Sequence, residues 1–227
     1  IPERDMTPLY GDSTERYEYL VIAGNIPGVL ESQALADFRK WKAFKGLKTK
    51  VVSTNAIGDT EGEIKQYISS EYSKGIKYVL FVGDCDEIPL YYYQRDTTNY
   101  AYSDYWYGCL DDSLDVQADI SIGRFSTSNL SDLANMVNKT ISYEGNARNY
   151  GGEVLLVAHQ DSTPVNYAGC SEALRTYHYY CEPVSFTTAY GGSGATNADV
   201  IREINKGKNI INYRGHGLSD RWRTWSN

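Results

Sequence analysis

A short apolar run recurs along the chain and is followed each time by a segment of helical periodicity; this feature constrains the fold most. The runs 19–23 and 78–82 each end directly before a glycine, which is typical of strands buried on both faces of a parallel sheet. A third run, Lys50–Val52, lies between them. Because strands that alternate with helices form βαβ units, the sequence predicts an α/β fold with a mostly parallel sheet flanked by helices.

Helical signals separate these runs. Thr60 and Glu63 have the spacing of a capping box and predict the start of one helix. Ser32 and Gly46 are predicted to bound another. The side chains expected to face inward from this second helix are Leu35, Phe38, Trp41 and Phe44. A later helix, with Ser131 as its cap, is expected to bury Leu133, Val137 and Ile141.

Two stretches interrupt this alternation. Residues 89–118 hold clustered tyrosines and acidic residues, and they predict a long loop or short strands over a surface. Around residues 146–152 the sequence turns polar and Gly-rich, so we place a subdomain boundary there. The pattern then restarts, with strands predicted at 154–158, 184–186 and 209–213 and helices near 169–180 and 199–206. The last helix is expected to turn Val200, Ile201 and Ile204 inward.

Composition excludes several classes of protein. The chain has 22 Lys plus Arg against 29 Asp plus Glu and a formal net charge of -7, whereas a nucleic-acid-binding protein carries a basic stripe. No apolar run approaches the roughly 20 residues that a membrane span needs. We therefore expect neither a nucleic-acid partner nor a membrane span. The 4 Cys are too scattered for a disulfide framework, and Cys85, close after an apolar run, is expected to be a buried structural thiol.

In open α/β sheets, ligands bind beyond the carboxyl ends of the strands. Three polar sequences occupy such positions, namely Gly83-Asp84, His159-Gln160-Asp161 and Arg214-Gly215-His216-Gly217. His216 stands between two glycines, whose bare backbone lets the imidazole face a cleft. A single His is often structural, and Asp161 could equally cap a helix or turn, so the residues alone leave both roles open.

Five sets of segments follow one another along nearly the whole chain. They are Trp41-Lys42 with Lys45-Gly46-Leu47, Tyr78–Asp84 with Ile88-Pro89, Ser103-Asp104 with Tyr107-Gly108, Ile122–Ser126, and Asn212-Tyr213 with Gly215–Gly217. In this order they resemble the catalytic region of the gingipain-type cysteine peptidases, whose sheet is related to those of caspases and legumains. The resemblance implies a caspase-like fold of two side-by-side subdomains. The non-catalytic subdomain would span residues 1–145, and residues 146–227 would form the first part of the catalytic one.

The resemblance implies catalytic roles for three residues. His216 matches the catalytic His, Gly217 the glycine whose backbone N–H supplies half of the oxyanion hole, and Asp161 the acidic third member. These roles agree with the chemistry, because an imidazole manages the protons of the thiol and the leaving amine, and a carboxylate stabilises its cation. Backbone donors stabilise the oxyanion. The expected activity is endopeptidase cleavage of protein or peptide substrates through an acyl-enzyme.

The nucleophile departs from the family pattern. The family places its catalytic Cys a few dozen residues after the His, at the end of the next strand, but every Cys of this sequence precedes His216. We therefore expect an active site that is incomplete within this chain, with the Cys on a missing or separately cleaved C-terminal segment that acts as its partner chain. A truncated or degenerate relative is the alternative interpretation.

The resemblance also implies a substrate pocket and bound calcium. Arg-specific relatives carry an acidic pocket residue at the start of the helix after Asp161, and the candidates here are Asn166 and Glu172, although solvation on a helix face also accounts for Glu172. A structural calcium ion is expected, with no organic cofactor. Its candidate ligands are Asp104, Asp111 and Asp112, whose hard oxygens suit the ion, and a solvated acidic loop is the alternative.

Relatives are exported, so the resemblance implies a secreted or cell-surface protein made as a zymogen. The first residues, Ile1 and Pro2, suggest a processed chain. Two other function classes stay open. One is a non-catalytic surface module that binds protein or glycan through the Tyr-rich stretch, and the other is a sortase-like relative that transfers the acyl group during secretion. A Cys at a following strand end would favour an enzyme over the module.

Overall fold

The computed structural model describes residues 16–94, 100–111, 117–146, 152–161, 166–177, 185–217 and 222. Packing of the chain divides it into two compact units, Ile1–Asn146 and Ala147–Asn227. Each unit carries its own parallel sheet. The predicted fold class, a mostly parallel α/β protein flanked by helices, is therefore confirmed.

The first unit follows the predicted strand–helix alternation. Its elements are β1 (Tyr19–Ala23), α1 (Gln33–Phe44), β2 (Thr49–Ser53), α2 (Thr54–Ile57), α3 (Glu61–Tyr72), β3 (Tyr78–Val82), β4 (Tyr91–Gln94), β5 (Tyr100–Ser103), β6 (Ser121–Phe125) and α4 (Leu130–Gly145). The strands β2, β1, β3 and β6 form a parallel sheet in that order. In the stretch 89–118, β4 and β5 pair as short antiparallel strands, and Tyr105–Gly108 forms a 3-10 turn.

Both faces of this sheet are covered by apolar side chains, as the continuous runs predicted. One face packs Leu20, Ile22, Phe81 and Tyr107 with Ile64 and Ile68 of α3, and the other packs Val21, Leu80 and Val82 with Leu35, Phe38, Leu133 and Val137 of α1 and α4. The capping box of Thr60 and Glu63 is present and begins α3. The cap of α4 is Asn129 and not Ser131, because the Asn129 side chain accepts a hydrogen bond from the Asp132 backbone N–H.

The inward face of α1 differs from the prediction at its end. Phe44 is 79% exposed, whereas Lys42 is buried. Successive residues turn by about 100° around a helix, so Phe44, nine positions after Leu35, lies about half a turn away from it. Lys42 comes seven positions after Leu35 and returns to nearly the same face. The prediction for Phe44 was therefore wrong, and its ring instead stacks on Trp41 with centroids 5.5 Å apart.

The cysteines also depart from the expectation. Cys85 is exposed, and Cys109 is buried. The strand β3 ends at Val82, and the residues from Asp84 to Asp86 form an exposed turn. Proximity to an apolar strand therefore did not bury Cys85, and the prediction of a buried thiol there was wrong.

The second unit contains β7 (Glu153–Ala158), α5 (Tyr167–Tyr177), β8 (Ser185–Tyr190), α6 (Asn197–Asn205) and β9 (Ile210–Arg214). Its parallel sheet has the order β8-β7-β9, so β7 lies in the centre. The central strand is the most buried, and Leu155 and Val157 pack with Ala189 of β8 and Val200 of α6. Among the described residues of both units, no helix combines the length and apolar character needed to cross a membrane.

The inward face of α6 was predicted only in part. Val200 is buried, but Ile201 is 58% exposed and Ile204 is 37% exposed. Ile201 lies about 100° around the helix from Val200 and so turns away from the sheet. Glu203 is buried instead, and Lys206 Nζ binds its carboxylate at 2.7 Å.

Glu144 of α4 ties that helix to α1 and provides a test of stability. Its carboxylate accepts hydrogen bonds from Trp41 Nε1 at 2.6 Å, Lys45 Nζ at 2.9 Å and Lys42 Nζ at 3.0 Å. Burial opposes the charged form, but the hydrogen bonds from Lys45, Trp41 and Lys42 outweigh it and lower the pKa of Glu144 to about 2. A carboxyl whose pKa is lower in the folded state stabilises it above the unfolded pKa, near 4.5 here, and this stabilisation is lost as the pH falls toward 2.

We expect Glu144→Gln to lower the free energy of unfolding at pH 7 by about 2 kcal/mol, because charged hydrogen bonds are lost. Urea titrations at a series of pH values should show the difference from the unsubstituted protein shrinking between pH 4.5 and pH 2. Glu31→Gln, at an exposed Glu, is the matched control and should change little. A difference that does not vary with pH would contradict this account.

Candidate active site

The candidate site lies where the neighbouring strands β7 and β9 end. Ala158 of β7 is in register with Arg214 of β9, and the His159 backbone N–H donates to the Arg214 carbonyl oxygen at 2.8 Å. Because parallel strands end at the same edge of a sheet, the residues that follow them meet there. Asp161 after β7 and His216 after β9 are brought together in this way.

One nitrogen of the His216 imidazole, Nε2, faces Asp161 and Tyr167. This nitrogen lies 3.8 Å from Asp161 Oδ2 and 3.3 Å from the Tyr167 hydroxyl. The Tyr167 ring, at the start of α5, meets the His216 ring edge-on with centroids 5.7 Å apart. Within the part of the chain that the structure describes, Nδ1 of His216 has no hydrogen-bond partner. The side chain is 45% exposed, so Nδ1 can meet an incoming group.

A second imidazole, that of His159, lies behind Asp161. His159 Nδ1 is 3.3 Å from both Asp161 Oδ2 and the Asp161 backbone nitrogen, and the residue is 6% exposed. The Asp161 carboxylate therefore lies between two imidazoles, and the buried one limits where it can point. The sequence showed His159 at a strand end but assigned it no role. Its spacing of two residues from Asp161 was the signal available.

The backbone around His216 is held by a second set of contacts. The Tyr213 hydroxyl donates to the His216 carbonyl oxygen at 2.8 Å, and its ring stacks on Trp222 with centroids 4.1 Å apart. Gly217 pairs with Trp222 in an antiparallel bridge. Gly215 passes so close to its neighbours that a Cβ there would collide with the Tyr213 hydroxyl and lie 2.8 Å from His159 Cβ. A glycine is required at position 215 for this reason.

The two predicted substrate-binding residues make contacts within the second unit. Asn166 Oδ1 accepts from the Gly169 backbone N–H at 2.7 Å, so this side chain caps α5. Glu172 accepts from the Tyr190 hydroxyl at 2.9 Å and from Arg175 Nε at 2.8 Å. The hydrogen bond from Tyr190, together with Arg175, lowers the pKa of Glu172. Substrate binding by either residue stays a prediction.

The predicted calcium ligands do not form a cluster among the described residues. Both oxygens of Asp104 accept from Arg124, at 2.9 Å from Nε and 2.7 Å from Nη2. Asp111 is exposed, and Asp112 lies outside the described residues. The described part of the chain contains no group of three or more His, Cys, Asp or Glu side chains placed to hold a metal ion. Both Asp104 oxygens thus already have a partner in Arg124, and calcium binding by Asp104, Asp111 and Asp112 stays a prediction.

The described cysteines are divided between the two units. Cys85 and Cys109 belong to the first unit, and Cys170 lies in α5. Within the second unit, the described Cys170 makes no hydrogen bond to His216. Cys181 lies outside the described residues.

Comparisons with known proteins show which family this chain resembles. A model of peptidase family C25 matches residues 12–227. Gingipain R2 from Porphyromonas gingivalis (strain ATCC 33277) and Gingipain R1 from Porphyromonas gingivalis are each 30% identical over 206 residues, which is 84% of this chain. The match covers only 27% of Gingipain R2 and 20% of Gingipain R1, so the chain spans a small part of these curated relatives.

Solved structures show the same similarity in three dimensions. The crystal structure of the Arg specific cysteine proteinase gingipain R superposes with a TM-score of 0.69 at 27% identity, over 94% of this chain and 50% of that chain. A complex of Porphyromonas gingivalis RgpB pro- and mature domains superposes with a TM-score of 0.64 at 28% identity, over 88% of this chain and 48% of that chain. The chain thus spans about half the length of these solved relatives.

The close packing around Gly215 can be tested by a substitution that adds a methyl group there. We expect Gly215→Ala to lower the free energy of unfolding by about 1–3 kcal/mol, because the added Cβ must displace Tyr213 or His159. Gly217→Ala is the matched control, since a Cβ at position 217 meets nothing within 4 Å. Chemical denaturation measures both variants, and equal stabilities would show that the backbone at Gly215 is not constrained in this way.

Proposed function

Because the chain belongs to peptidase family C25, we propose that it supplies the histidine and the acidic residue of a cysteine endopeptidase. The observation that carries this proposal is the meeting of Asp161 and His216 at the ends of β7 and β9, with Nδ1 of His216 open to an incoming thiol. An imidazole with one nitrogen beside a carboxylate and the other open is the arrangement that activates a cysteine nucleophile.

The proposed reaction begins at this open nitrogen. His216 Nδ1 takes the proton of the cysteine thiol, and the sulfur attacks the carbonyl carbon of the peptide bond. The imidazolium then gives its proton to the leaving amine as the C–N bond breaks. Water, deprotonated by the same nitrogen, attacks the resulting thioester, which releases the carboxylic acid and restores the thiol.

Other groups stabilise the two charges that develop in this reaction, the imidazolium of His216 and the oxyanion of the tetrahedral intermediate. Asp161 stabilises the imidazolium from the Nε2 side, and the Tyr167 hydroxyl can accept the Nε2–H hydrogen bond at the observed 3.3 Å. The backbone N–H of Gly217, directly after the catalytic His, is proposed as one donor to the oxyanion of the tetrahedral intermediate. His159 holds Asp161 and so acts as a positioning residue.

We place the nucleophilic Cys on a C-terminal segment, missing from this chain or cleaved from it, that serves as its partner. The order of the residues supports this placement, because every Cys of the sequence precedes His216, whereas the family resemblance places the nucleophile after it. The edge of the sheet supports it too. Ile210 of β9 is 58% exposed and Ile211 is 41% exposed, and β9 has no second neighbouring strand among the described residues. A strand that added to β9 would bury these side chains and carry the Cys to the same edge.

Arginine specificity is not part of this proposal. The solved gingipain R is described as Arg specific, and recognition of a guanidinium requires a carboxylate that is not already neutralised. Glu172, the acidic candidate on α5, is bound by Arg175 and Tyr190. We therefore do not extend the specificity of gingipain R to this chain.

Export, activation from a zymogen and calcium binding are proposed from the family relationship alone. We propose a secreted or cell-surface protein made with a pro-segment, by analogy with the relative solved as a complex of pro- and mature domains. A structural calcium ion stays part of the proposal, with Asp104, Asp111 and Asp112 as its candidate ligands. At Asp104 the ion would compete with the two hydrogen bonds from Arg124.

The proposed function predicts the effect of removing the imidazole. With the full-length mature protein, His216→Ala should lower kcat/KM for peptide hydrolysis by at least about 100-fold, because general acid–base catalysis contributes 10²–10⁴-fold. An acyloxymethyl-ketone probe should label one thiol in the unsubstituted protein and label it far more slowly in the variant. Thermal unfolding should be unchanged, since His216 is half exposed.

Glu31→Gln, far from the site in sequence and exposed, is the control for both readouts. Retained turnover in His216→Ala would remove this residue from the mechanism. A mature protein with no thiol that reacts with the probe would favour a non-catalytic binding module instead.

A further inference from the structure

In the second unit, the described carboxylates are paired with basic groups, whereas one arginine near the candidate site is not paired with a carboxylate among the described residues. Every described carboxylate in this unit lies beside a cationic or imidazole group. The pairs are Glu153 with Lys208, Asp161 with His159 and His216, Glu172 with Arg175, Asp199 with Arg202, and Glu203 with Lys206. The described part of this unit therefore offers no carboxylate free to recognise a basic substrate side chain.

The uncompensated charge near the site is positive. Arg214 is exposed and has no ion-pair partner among the residues that the structure describes. It is the last residue of β9, and two peptide units separate its Cα from that of His216, a distance of at most about 7.6 Å. The adjacent segments of the sequence add no excess of negative charge. Residues 162–165 contain no ionisable side chain, and residues 218–227 hold two Arg against one Asp.

The position of Arg214 in the strand tells which face its side chain occupies. Tyr213 packs with the apolar cluster under α6, and side chains alternate along a strand, so Arg214 belongs to the opposite face. Right-handed crossovers place α5 on that opposite face, because the chain moves from β7 to β8 through α5 and back across β7 to β9 through α6. Tyr167 of α5 contacts His216. Arg214 and the catalytic imidazole therefore share one face at one end of the sheet.

We propose that Arg214 makes the site select an acidic residue next to the scissile peptide bond, on its N-terminal side. This inference rests on the proposed function and names its substrate class. A guanidinium forms two parallel hydrogen bonds with a carboxylate, and this one has no competing carboxylate among the described residues. A basic side chain in the same place would meet a like charge within a few ångströms, which is unfavourable.

The test uses the full-length mature protein and acyloxymethyl-ketone probes that differ only in the residue beside the reactive group. We expect probes with Asp or Glu to label the thiol about fivefold or more faster than those with Asn or Gln, and probes with Arg or Lys to be slowest. Arg214→Gln should remove the preference for Asp over Asn, and Arg214→Lys should retain part of it. The preference should also weaken at high ionic strength.

Arg202→Gln is the matched control, because it removes the same charge from α6, where Asp199 already neutralises the Arg. It should leave the preference intact, and thermal unfolding checks that each variant is folded. Faster labelling by Arg or Lys probes, or a preference unchanged in Arg214→Gln, would overturn the inference while leaving the peptidase itself established. If no probe labels any thiol, the proposed function fails and this inference fails with it.

Discussion

The parallel pairing of β7 with β9 is the interaction on which the candidate site depends. Asp161 and His216 are 55 positions apart in the sequence, and neither strand alone places them in contact. The register that sets Ala158 beside Arg214, continued by the hydrogen bond from the His159 N–H, brings both side chains to one edge. Gly215 permits this approach, because its bare Cα passes between Tyr213 and His159. The buried residues Leu155 and Val157 hold the central strand in place.

The first unit shows why a strand end is not by itself a site. The chain after β3, at Gly83-Asp84, met the same criterion as the ends of β7 and β9. Arg124 occupies this position from β6, and its Nη1 donates to the carbonyl oxygens of Gly83 at 2.8 Å and Ile88 at 3.0 Å, while its other nitrogens bind Asp104. A strand end filled by such a network stabilises the unit. The same edge in the second unit leaves an imidazole half exposed.

Sequence patterns correctly predicted those features that depend only on residues close together in the chain. The capping box of Thr60 and Glu63 was correct because both partners lie in one helical turn, and continuous apolar runs marked the strands because burial on both faces tolerates no polar alternation. Two errors were themselves local. Phe44 and Ile201 are apolar and helical yet exposed, because the helical period of about 100° per residue turns them away from the buried face of each helix. The contact of Glu172 with Tyr190 could not be predicted in this way, because β8 brings Tyr190 to α5 only in the folded unit.

The sequence by itself determined the parallel α/β class and the three strand ends at which chemistry could lie, because periodicity and glycine placement are local properties of the backbone. The three residues proposed for catalysis came from the resemblance to the gingipain-type peptidases, since the residues alone left the roles of His216 and Asp161 open. Only the tertiary structure decided which groups surround these residues, namely His159 behind Asp161, Tyr167 against Nε2, and Arg214 without a described counter-charge. The reason is that hydrogen bonds and ion pairs act over 3–4 Å in space, and it is the register of β7, β8 and β9, together with the start of α5, that creates those distances.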